Sequence, residues 1–145
     1  MIYLNNTYNL SFPASVERVY KTGIKAIMND HKVDFSSITI TMLNDSALLE
    51  INQNFLNHDY FTDIITFTYS DEDEPIEAEL FISADMVESN AKKYNVSYHK
   101  ELLRVIFHGC LHLCGFDDHS EEERKEMKRE ENFYVMKFAL KTSFT

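Results

Sequence analysis

The sequence predicts an α+β fold: a four-stranded mixed sheet packed by about five helices, forming a single domain over residues 1–145. Strand-like alternation of apolar and polar residues falls mainly in the first half of the chain. Most helical periodicity falls in the second half, and no internal repeat or linker separates the two halves. With only three glycines and two prolines, the chain is expected to have short connections.

The first half of the chain is predicted to alternate strands and helices. Residues 2–10 alternate enough to form a strand, and apolar residues recur at helical spacing over 15–29. The Ile-Thr-Ile-Thr pattern within 37–43 predicts a second strand. Residues 44–46, Asn-Asp-Ser, then offer capping side chains for a helix that runs through Phe55.

The second half is predicted to begin with a hairpin and to continue with three helices. Residues 63–69 and 77–83 are rich in β-branched and aromatic side chains and predict the third and fourth strands. The acidic run 71–75 lacks the alternating ligands of a calcium loop and is predicted to be the turn between them. The helices are expected at about 84–94, 98–114 and 120–140.

The composition favours a cytoplasmic protein that does not enter membranes. No apolar run approaches 18 residues, and the chain begins without the basic and apolar regions of a secretory signal. The net charge of −10 argues against indiscriminate nucleic-acid binding, which needs a basic face. Two local groups of cations remain candidates for phosphate contacts, although solvation of helix faces also explains them: Lys92, Lys93, Lys100 and Arg104, and Arg124, Lys125, Lys128 and Arg129.

The predicted helix 98–114 carries the most specific functional signal in the chain. It is apolar almost all round, as a buried helix is, yet it contains His108 and His112, four residues apart. At that spacing both imidazoles can reach one ion, so we predict a zincin-like metal-binding helix in which the two histidines are ligands and catalytic residues. Cys110 and Cys114 lie on another face and are predicted to pack in the core.

A short link after this helix is expected to supply a third ligand. Gly115 is predicted to end the helix, and Ser120 and Glu123 form a capping box that begins the next one. The intervening residues therefore form a short fixed link that can return a side chain to the metal. Two histidines, one further ligand and an open fourth position are the layout of a catalytic zinc site. The candidates for the further ligand are Asp117, Asp118 and His119.

Residues 108–117, HGCLHLCGFD, resemble the H-G-x-L-H-L-x-G-Y-D-H signature of the YbeY-type metal-dependent endoribonucleases. Residues 62–67, TDIITF, are similar to that family's T-D-V-L-S-F strand. The resemblance covers about two thirds of the chain. It extends to positions in the segment before that strand and in the last helix: Asn52, Asp59, Met127 and Glu131.

The chain departs from the family pattern at three places. The family's third histidine falls at the position of Asp118, with His119 one residue later. Alignment with the family's third histidine favours Asp118 as the third ligand, whereas the preference of zinc for the softer imidazole nitrogen favours His119. Both stay candidates, with a slight preference for Asp118. Leu56 stands where the family usually has an arginine near the metal. Ala78-Glu79 replaces the family's Gly-Asp at the start of the fourth strand.

The resemblance implies a single-strand-specific endoribonuclease with one zinc ion, acting in small-subunit ribosomal RNA maturation and ribosome quality control. The implied partners are ribosomal RNA and the small ribosomal subunit, not DNA or a membrane. We hypothesise that a lysine or arginine of the two basic groups holds the phosphate in place of the missing arginine. The alternative is a non-catalytic ribosome-assembly or RNA-binding factor with a structural zinc. A metallopeptidase is disfavoured because Gly109 occupies the position of the general-base glutamate in H-E-x-x-H.

Overall fold

A computed structural model describes residues 1–6, 14–57 and 62–139. In these ranges the strands are β1 (Ile2–Asn6), β2 (Phe35–Leu43), β3 (Ile64–Thr68) and β4 (Ile76–Ser83). The helices are α1 (Ala14–Asp30), α2 (Asp45–Leu56), α3 (Ala84–Tyr94), α4 (Tyr98–Leu113) and α5 (Glu121–Ala139). The described residues thus form an α+β fold with a four-stranded mixed sheet and five helices, which confirms the predicted fold class.

The predicted element boundaries agree with the structure to within two residues wherever both ends are described. The first strand was predicted to reach residue 10, whereas β1 ends at Asn6 and residues 7–13 lie outside the described ranges. The last helix was predicted to reach residue 140, which also lies outside them. In α2 the predicted cap is present, since the side chain of Asn44 accepts a hydrogen bond from the backbone N–H of Ala47 at 2.7 Å.

The strands lie in the order β1-β2-β4-β3. β1, β2 and β4 are parallel to their neighbours, and β3 is antiparallel to β4. One face of the two central strands is entirely buried: Ile38, Ile40, Met42, Ala78, Leu80 and Ile82. These side chains, α1, α4 and α5 contribute to one hydrophobic core.

Helix α4 passes through the middle of this core and contacts α1, α3, α5 and the sheet. It begins at Ser97, whose Oγ accepts a hydrogen bond from the backbone N–H of Lys100 at 3.1 Å. Close contact with the sheet is possible because position 109 has no side chain. A Cβ at Gly109 would lie 2.7 Å from Cδ1 of Ile64 and 3.1 Å from a methyl group of Leu80. The buried turns of α4 thereby hold its carboxyl end in a fixed place at the edge of the core.

A second close approach joins α1 to α4 and gives a stability prediction. A Cβ at Gly23 would lie 2.3 Å from Cζ of Phe107, whose ring is fully buried and packs against the rings of Tyr134 and Phe138. We expect Gly23→Ala to lower the free energy of unfolding by about 1 kcal/mol. Overpacking costs about 1–3 kcal/mol, and alanine in place of a mid-helix glycine returns about 1 kcal/mol.

Urea unfolding of the parent protein and the variant measures this difference. Ser89→Ala, at an exposed position of α3, is the matched control and should change stability by less than about 0.5 kcal/mol. An unfolding midpoint for Gly23→Ala at or above that of the parent protein would contradict the proposed close contact.

Candidate metal centre

His108 and His112 lie on one face of the last two turns of α4, where the helix leaves the core. Their Nε2 atoms are 3.0 Å apart, and the two ring planes are inclined by 83°. Both side chains are about a quarter exposed, so the two rings are largely packed against the protein. The predicted convergence of the two imidazoles is present.

The link that follows α4 is fixed at its first end by backbone hydrogen bonds. Gly115 has a φ of +101°, and its N–H donates to the carbonyl of His112 at 3.0 Å. The next N–H, that of Phe116, donates to the carbonyl of Leu111 at 3.0 Å. The left-handed residue turns the chain sharply back along the helix, which is why the helix ends at Leu113 and not one residue later.

The second end of the link is fixed by the predicted capping box. The backbone N–H of Ser120 donates to the carboxylate of Glu123 at 2.9 Å, and the N–H of Glu123 donates to Oγ of Ser120 at 3.1 Å. Arg124 donates from Nη1 to the carbonyls of Asp118 and His119 at 3.4 and 3.1 Å. The backbone that carries the candidate third ligand is thus held from α5 as well as from α4.

Asp118 completes a cluster of three donors with the two histidines. Its Oδ2 lies 3.5 Å from Nε2 of His108 and 3.7 Å from Nε2 of His112. One ligand atom from each of the three residues lies within 4.8 Å of the others. A tetrahedral zinc ion with bonds of about 2.0–2.2 Å holds its donors about 3.3–3.6 Å apart, so the observed spacings suit such an ion.

The other two candidates in the link point elsewhere. The His119 side chain is 83% exposed, and its Nε2 lies 3.9 Å from Oδ1 of Asp117. Among the residues that the structure describes, the ligand-sized cluster contains Asp118 and neither of these two. The structure therefore brings together three of the four predicted metal-site residues and leaves His119 outside.

A carboxylate behind His108 orients its ring. Oε2 of Glu131 accepts a hydrogen bond from Nδ1 of His108 at 2.6 Å, and the Glu131 residue is 5% exposed. This bond places the ring proton on Nδ1 and leaves Nε2 bare on the side of His112 and Asp118. Burial lowers the pKa of His108, but the hydrogen bond and charge of Glu131 outweigh it, so that the pKa lies above the ordinary histidine value.

Glu131 is in turn held by Arg104. Nη1 of Arg104 donates to Oε1 of Glu131 at 3.2 Å, and its Nε donates to Glu101, one turn earlier on α4, at 3.0 Å. A second guanidinium nitrogen also pairs with Glu101. Glu101 and Glu131 are both buried, and carboxylates in such positions require partners. From the sequence, Glu131 is identified only through the family resemblance, and its support of His108 is not predicted; the available signal is two acidic positions on otherwise buried helix faces.

The two cysteines pack as apolar side chains, as predicted. Cys110 is buried, and Sγ of Cys114 lies 3.6 Å from Sδ of Met28 in the core. Burial raises the pKa of both thiols, that of Cys114 to about 11. Neither belongs to the ligand-sized cluster found in the described part of the chain.

A cleft of about 480 Å³ opens beside the metal-ligand cluster between α4 and α5. His108 and Asp118 line one end of it, and Tyr94 lines it as well. Four of the eight cations considered from the sequence also line this cleft: Lys100, Arg104, Arg124 and Lys128. Two of the others are paired outside it, since Lys92 contacts Glu88 at 3.2 Å and Lys125 contacts Glu121 at 3.7 Å.

The structure also shows where the residues lie that depart from the family pattern. Leu56 is the last residue of α2 and is partly exposed. Ala78 is buried in β4, and Glu79 accepts hydrogen bonds from Thr41 at 2.5 Å and from Tyr69 at 3.0 Å, so this pair serves the sheet. Asn52 is buried in α2. Asp59 lies outside the described residues.

Comparison with known proteins places these features in one family. A family model described as Endoribonuclease YbeY matches residues 3–139. A protein of that name from Azobacteroides pseudotrichonymphae is 43% identical over 132 residues, covering 91% of this chain and 94% of its own length. Another from Phocaeicola vulgatus is 48% identical over 118 residues, covering 81% and 85%.

A solved structure agrees with the fold. The solution structure of a protein from Thermotoga maritima matches with a TM-score of 0.65 and 28% identity, over 95% of this chain and 89% of that chain. Within the described ranges, no helix combines the length and apolar character needed to cross a bilayer.

Proposed function

The chain belongs to the endoribonuclease YbeY family, and on that premise we propose that it is a metal-dependent endoribonuclease specific for single-stranded RNA. One observation carries the proposal: two imidazole nitrogens and one carboxylate oxygen converge within 4.8 Å of one another. Zinc suits this donor set. Three protein donors also leave a fourth tetrahedral position for solvent or substrate, as catalytic zinc sites do.

We assign His108, His112 and Asp118 as the metal ligands, and the two histidines as the catalytic residues that the site depends on. Glu131 is a positioning residue, because its Oε2 accepts a hydrogen bond from Nδ1 of His108, 2.6 Å away, and so directs the bare Nε2 towards His112 and Asp118. Arg104 keeps Glu131 in that place through its bond to Oε1 at 3.2 Å. The ring that binds the ion is thereby held in one tautomer and one orientation.

The bound ion would lower the pKa of a coordinated water towards about 7 and offset negative charge on the phosphoryl oxygens. The attacking oxygen belongs to water or to the RNA 2′-hydroxyl, and its attack on phosphorus breaks the P–O bond to the neighbouring nucleotide. Cationic side chains of the cleft hold the phosphodiester against the site, which compensates for Leu56 in place of the family arginine.

The resemblance to the family supports a wider assignment. We place the activity in small-subunit ribosomal RNA maturation and ribosome quality control, with ribosomal RNA and the small subunit as partners, in the cytoplasm. We further propose that residues 1–145 form one functional domain, since the sheet and the helices share one hydrophobic core.

Metal-dependent cleavage of a single-stranded RNA tests the proposal. The protein is stripped with a chelator, reloaded with increasing zinc, and incubated with a labelled single strand or with the same strand in a duplex. We expect cleavage of the single strand to appear with loading and to saturate near one zinc per chain.

Absence of cleavage at every metal loading, with RNA binding that survives chelation, would reject the enzyme. That result would choose the alternative, a ribosome-assembly or RNA-binding factor with a structural zinc, which the net charge of −10 and Leu56 favour. A structural site has four protein ligands, whereas three donors converge among the described residues, and this observation favours the enzyme.

The role of Glu131 gives a separate prediction. Loss of a carboxylate that orients a metal-binding histidine costs about 10–100-fold in metal affinity. We therefore expect Glu131→Ala to weaken zinc binding by about that factor. Glu131→Gln should weaken it less, because its amide oxygen still accepts the Nδ1 proton. Competition with a zinc-binding dye measures both affinities.

Glu130→Gln is the matched control, because Glu130 immediately precedes Glu131 on α5, contacts His31 at 3.2 Å and does not belong to the ligand-sized cluster of the described residues. Its zinc affinity should equal that of the parent protein. Parent-like affinity in Glu131→Ala would show that the carboxylate does not position His108.

A further inference from the structure

We propose that the cleft between α4 and α5 is a track for the RNA strand on one side of the cleaved bond. In this track Lys100, Arg124 and Lys128 contact backbone phosphates, and Tyr94 stacks against an unpaired base. The inference rests on the proposed function and deepens it, since it names the side chains that select a single strand and the side of the metal centre on which that strand lies.

The cleft is lined by equal numbers of cations and carboxylates, but not all of these charges enter ion pairs. Four cations and four carboxylates line it, the latter being Asp63, Glu101, Asp118 and Glu131. Two of the carboxylates are buried and occupied by Arg104 and His108. Lys100, Arg124 and Lys128, by contrast, enter no ion pair within the described residues. Cations that enter no ion pair and are grouped in one cleft can contact the phosphates of a polyanion there.

The three cations extend away from the metal-ligand cluster. Arg124 is adjacent to it, since its Nη1 lies 3.4 Å from the carbonyl oxygen of Asp118. Lys128 follows one turn later on α5 and faces the same way. Lys100 lies eight residues before His108 on α4, about 12 Å along the helix axis. Both walls of the cleft therefore carry positive charge, and the cleft runs directly into the site at which a phosphodiester would be cleaved.

Tyr94 offers an aromatic ring on which an unpaired base can stack. It is the last residue of α3 and lines the cleft, and it is 55% exposed. Cζ of Arg104 lies 5.8 Å from its ring centroid, so a cation already polarises the ring. Only unpaired bases can stack on such a ring, which favours single-stranded RNA over a duplex. Val96, which is half-buried, also lines the cleft, whereas its other apolar lining residues are buried and form its floor: Val105, Met127 and Val135.

Salt-dependent binding of a 12-nucleotide single-stranded RNA to the chelator-stripped protein, which is expected to bind the strand without cleaving it, tests the phosphate contacts. Three contacts predict a slope of log K against log salt near about −2, and each lysine removed should reduce its magnitude by about 0.7. We expect the double variant Lys100→Ala/Lys128→Ala to bind roughly tenfold more weakly at low salt. The double variant Lys92→Ala/Lys125→Ala removes the same charge from ion-paired positions outside the cleft and should bind as the parent protein does.

The stacking contact is tested by its own pair of variants. Tyr94→Ala should lower affinity for the single strand by roughly tenfold, and Tyr94→Phe should restore it because the ring remains. Tyr69→Ala is the matched control, since Tyr69 is equally exposed but lies at the end of β3 and bonds to Glu79. Equal losses in Tyr94→Ala and Tyr94→Phe would exclude stacking.

The outcomes separate this inference from the proposed function. Zinc-dependent cleavage together with parent-like binding by the cleft variants, or tighter binding of duplex than of single strand, would overturn the track alone. Binding that needs Lys100, Lys128 and Tyr94 but leads to no cleavage at any zinc loading would support the track and reject the nuclease. Failure to bind the single strand at low salt would overturn the track.

Discussion

His112→Ala is expected to lose zinc binding by more than about 100-fold and to lose RNA cleavage with it. Removal of a group that only orients a ligand costs about 10–100-fold in affinity, so removal of the ligand itself should cost more. The ring of His112 faces Nε2 of His108 at 3.0 Å and is partly exposed, so its loss leaves no large cavity in the core. The variant should therefore fold like the metal-free parent protein.

Isothermal titration with zinc and cleavage of a labelled single strand measure the two losses. Circular dichroism of the metal-free proteins checks that the fold is retained. His112→Asp keeps a donor atom at the position and should recover part of the zinc affinity. Full cleavage by a correctly folded His112→Ala would rule out the metal centre.

Asp118→Ala and His119→Ala are expected to differ sharply although the residues are neighbours. Oδ2 of Asp118 lies 3.5 and 3.7 Å from the two imidazole nitrogens, whereas the side chain of His119 is 83% exposed and lies near Asp117. We therefore expect Asp118→Ala to weaken zinc binding by more than about 100-fold, as for a lost ligand. His119→Ala should stay within about twofold of the parent protein.

Metal content per chain after dialysis against a fixed free zinc concentration measures this difference, and RNA cleavage by the same samples follows it. Asp117→Ala is a further control, because it removes a carboxylate from the same link without removing a donor. The reverse result, with zinc lost in His119→Ala and kept in Asp118→Ala, would show that the link rearranges when metal binds. The imidazole of His119 would then be the third ligand, although Asp118 occupies the family's ligand position.

The elements that could be predicted from sequence are those with local signals. Asn44, Ser120 and Glu123 cap helices through side chains that reach only three residues along the chain, so their pattern alone predicts the contact. Gly115 ends α4 because a left-handed backbone favours glycine, which is again a local property. The convergence of His108 and His112 follows from helical geometry alone.

The features that escaped prediction depend on contacts between distant segments. The order β1-β2-β4-β3 is set by packing of helices on the sheet, and alternation within a strand carries no information about it. Glu131 meets His108 across 23 positions of sequence and Arg104 across 27. Each of these residues looks like an ordinary charged position until the helices are brought together.

The positions of the basic residues on the surface also could not be predicted from the sequence. The sequence groups eight cations by proximity along the chain, but helical rotation sends neighbours to different faces. Lys92 forms an ion pair with Glu88, and Lys125 forms one with Glu121. By contrast, Lys100 on α4 and Lys128 on α5 both line the cleft between these helices. Charge density along a chain is therefore a poor guide to charge density on a surface.

The short link between α4 and α5 is held at both ends by hydrogen bonds that the chain itself supplies. Its first end is bonded to the carbonyls of Leu111 and His112, and its second to Ser120, Glu123 and Arg124. Little conformational entropy remains to be lost when Asp118 takes up its place, so more of the coordination energy appears as affinity. The same rigidity makes connection length critical: one residue inserted between Gly115 and Ser120 would displace the carboxylate and disable the centre without disturbing the core.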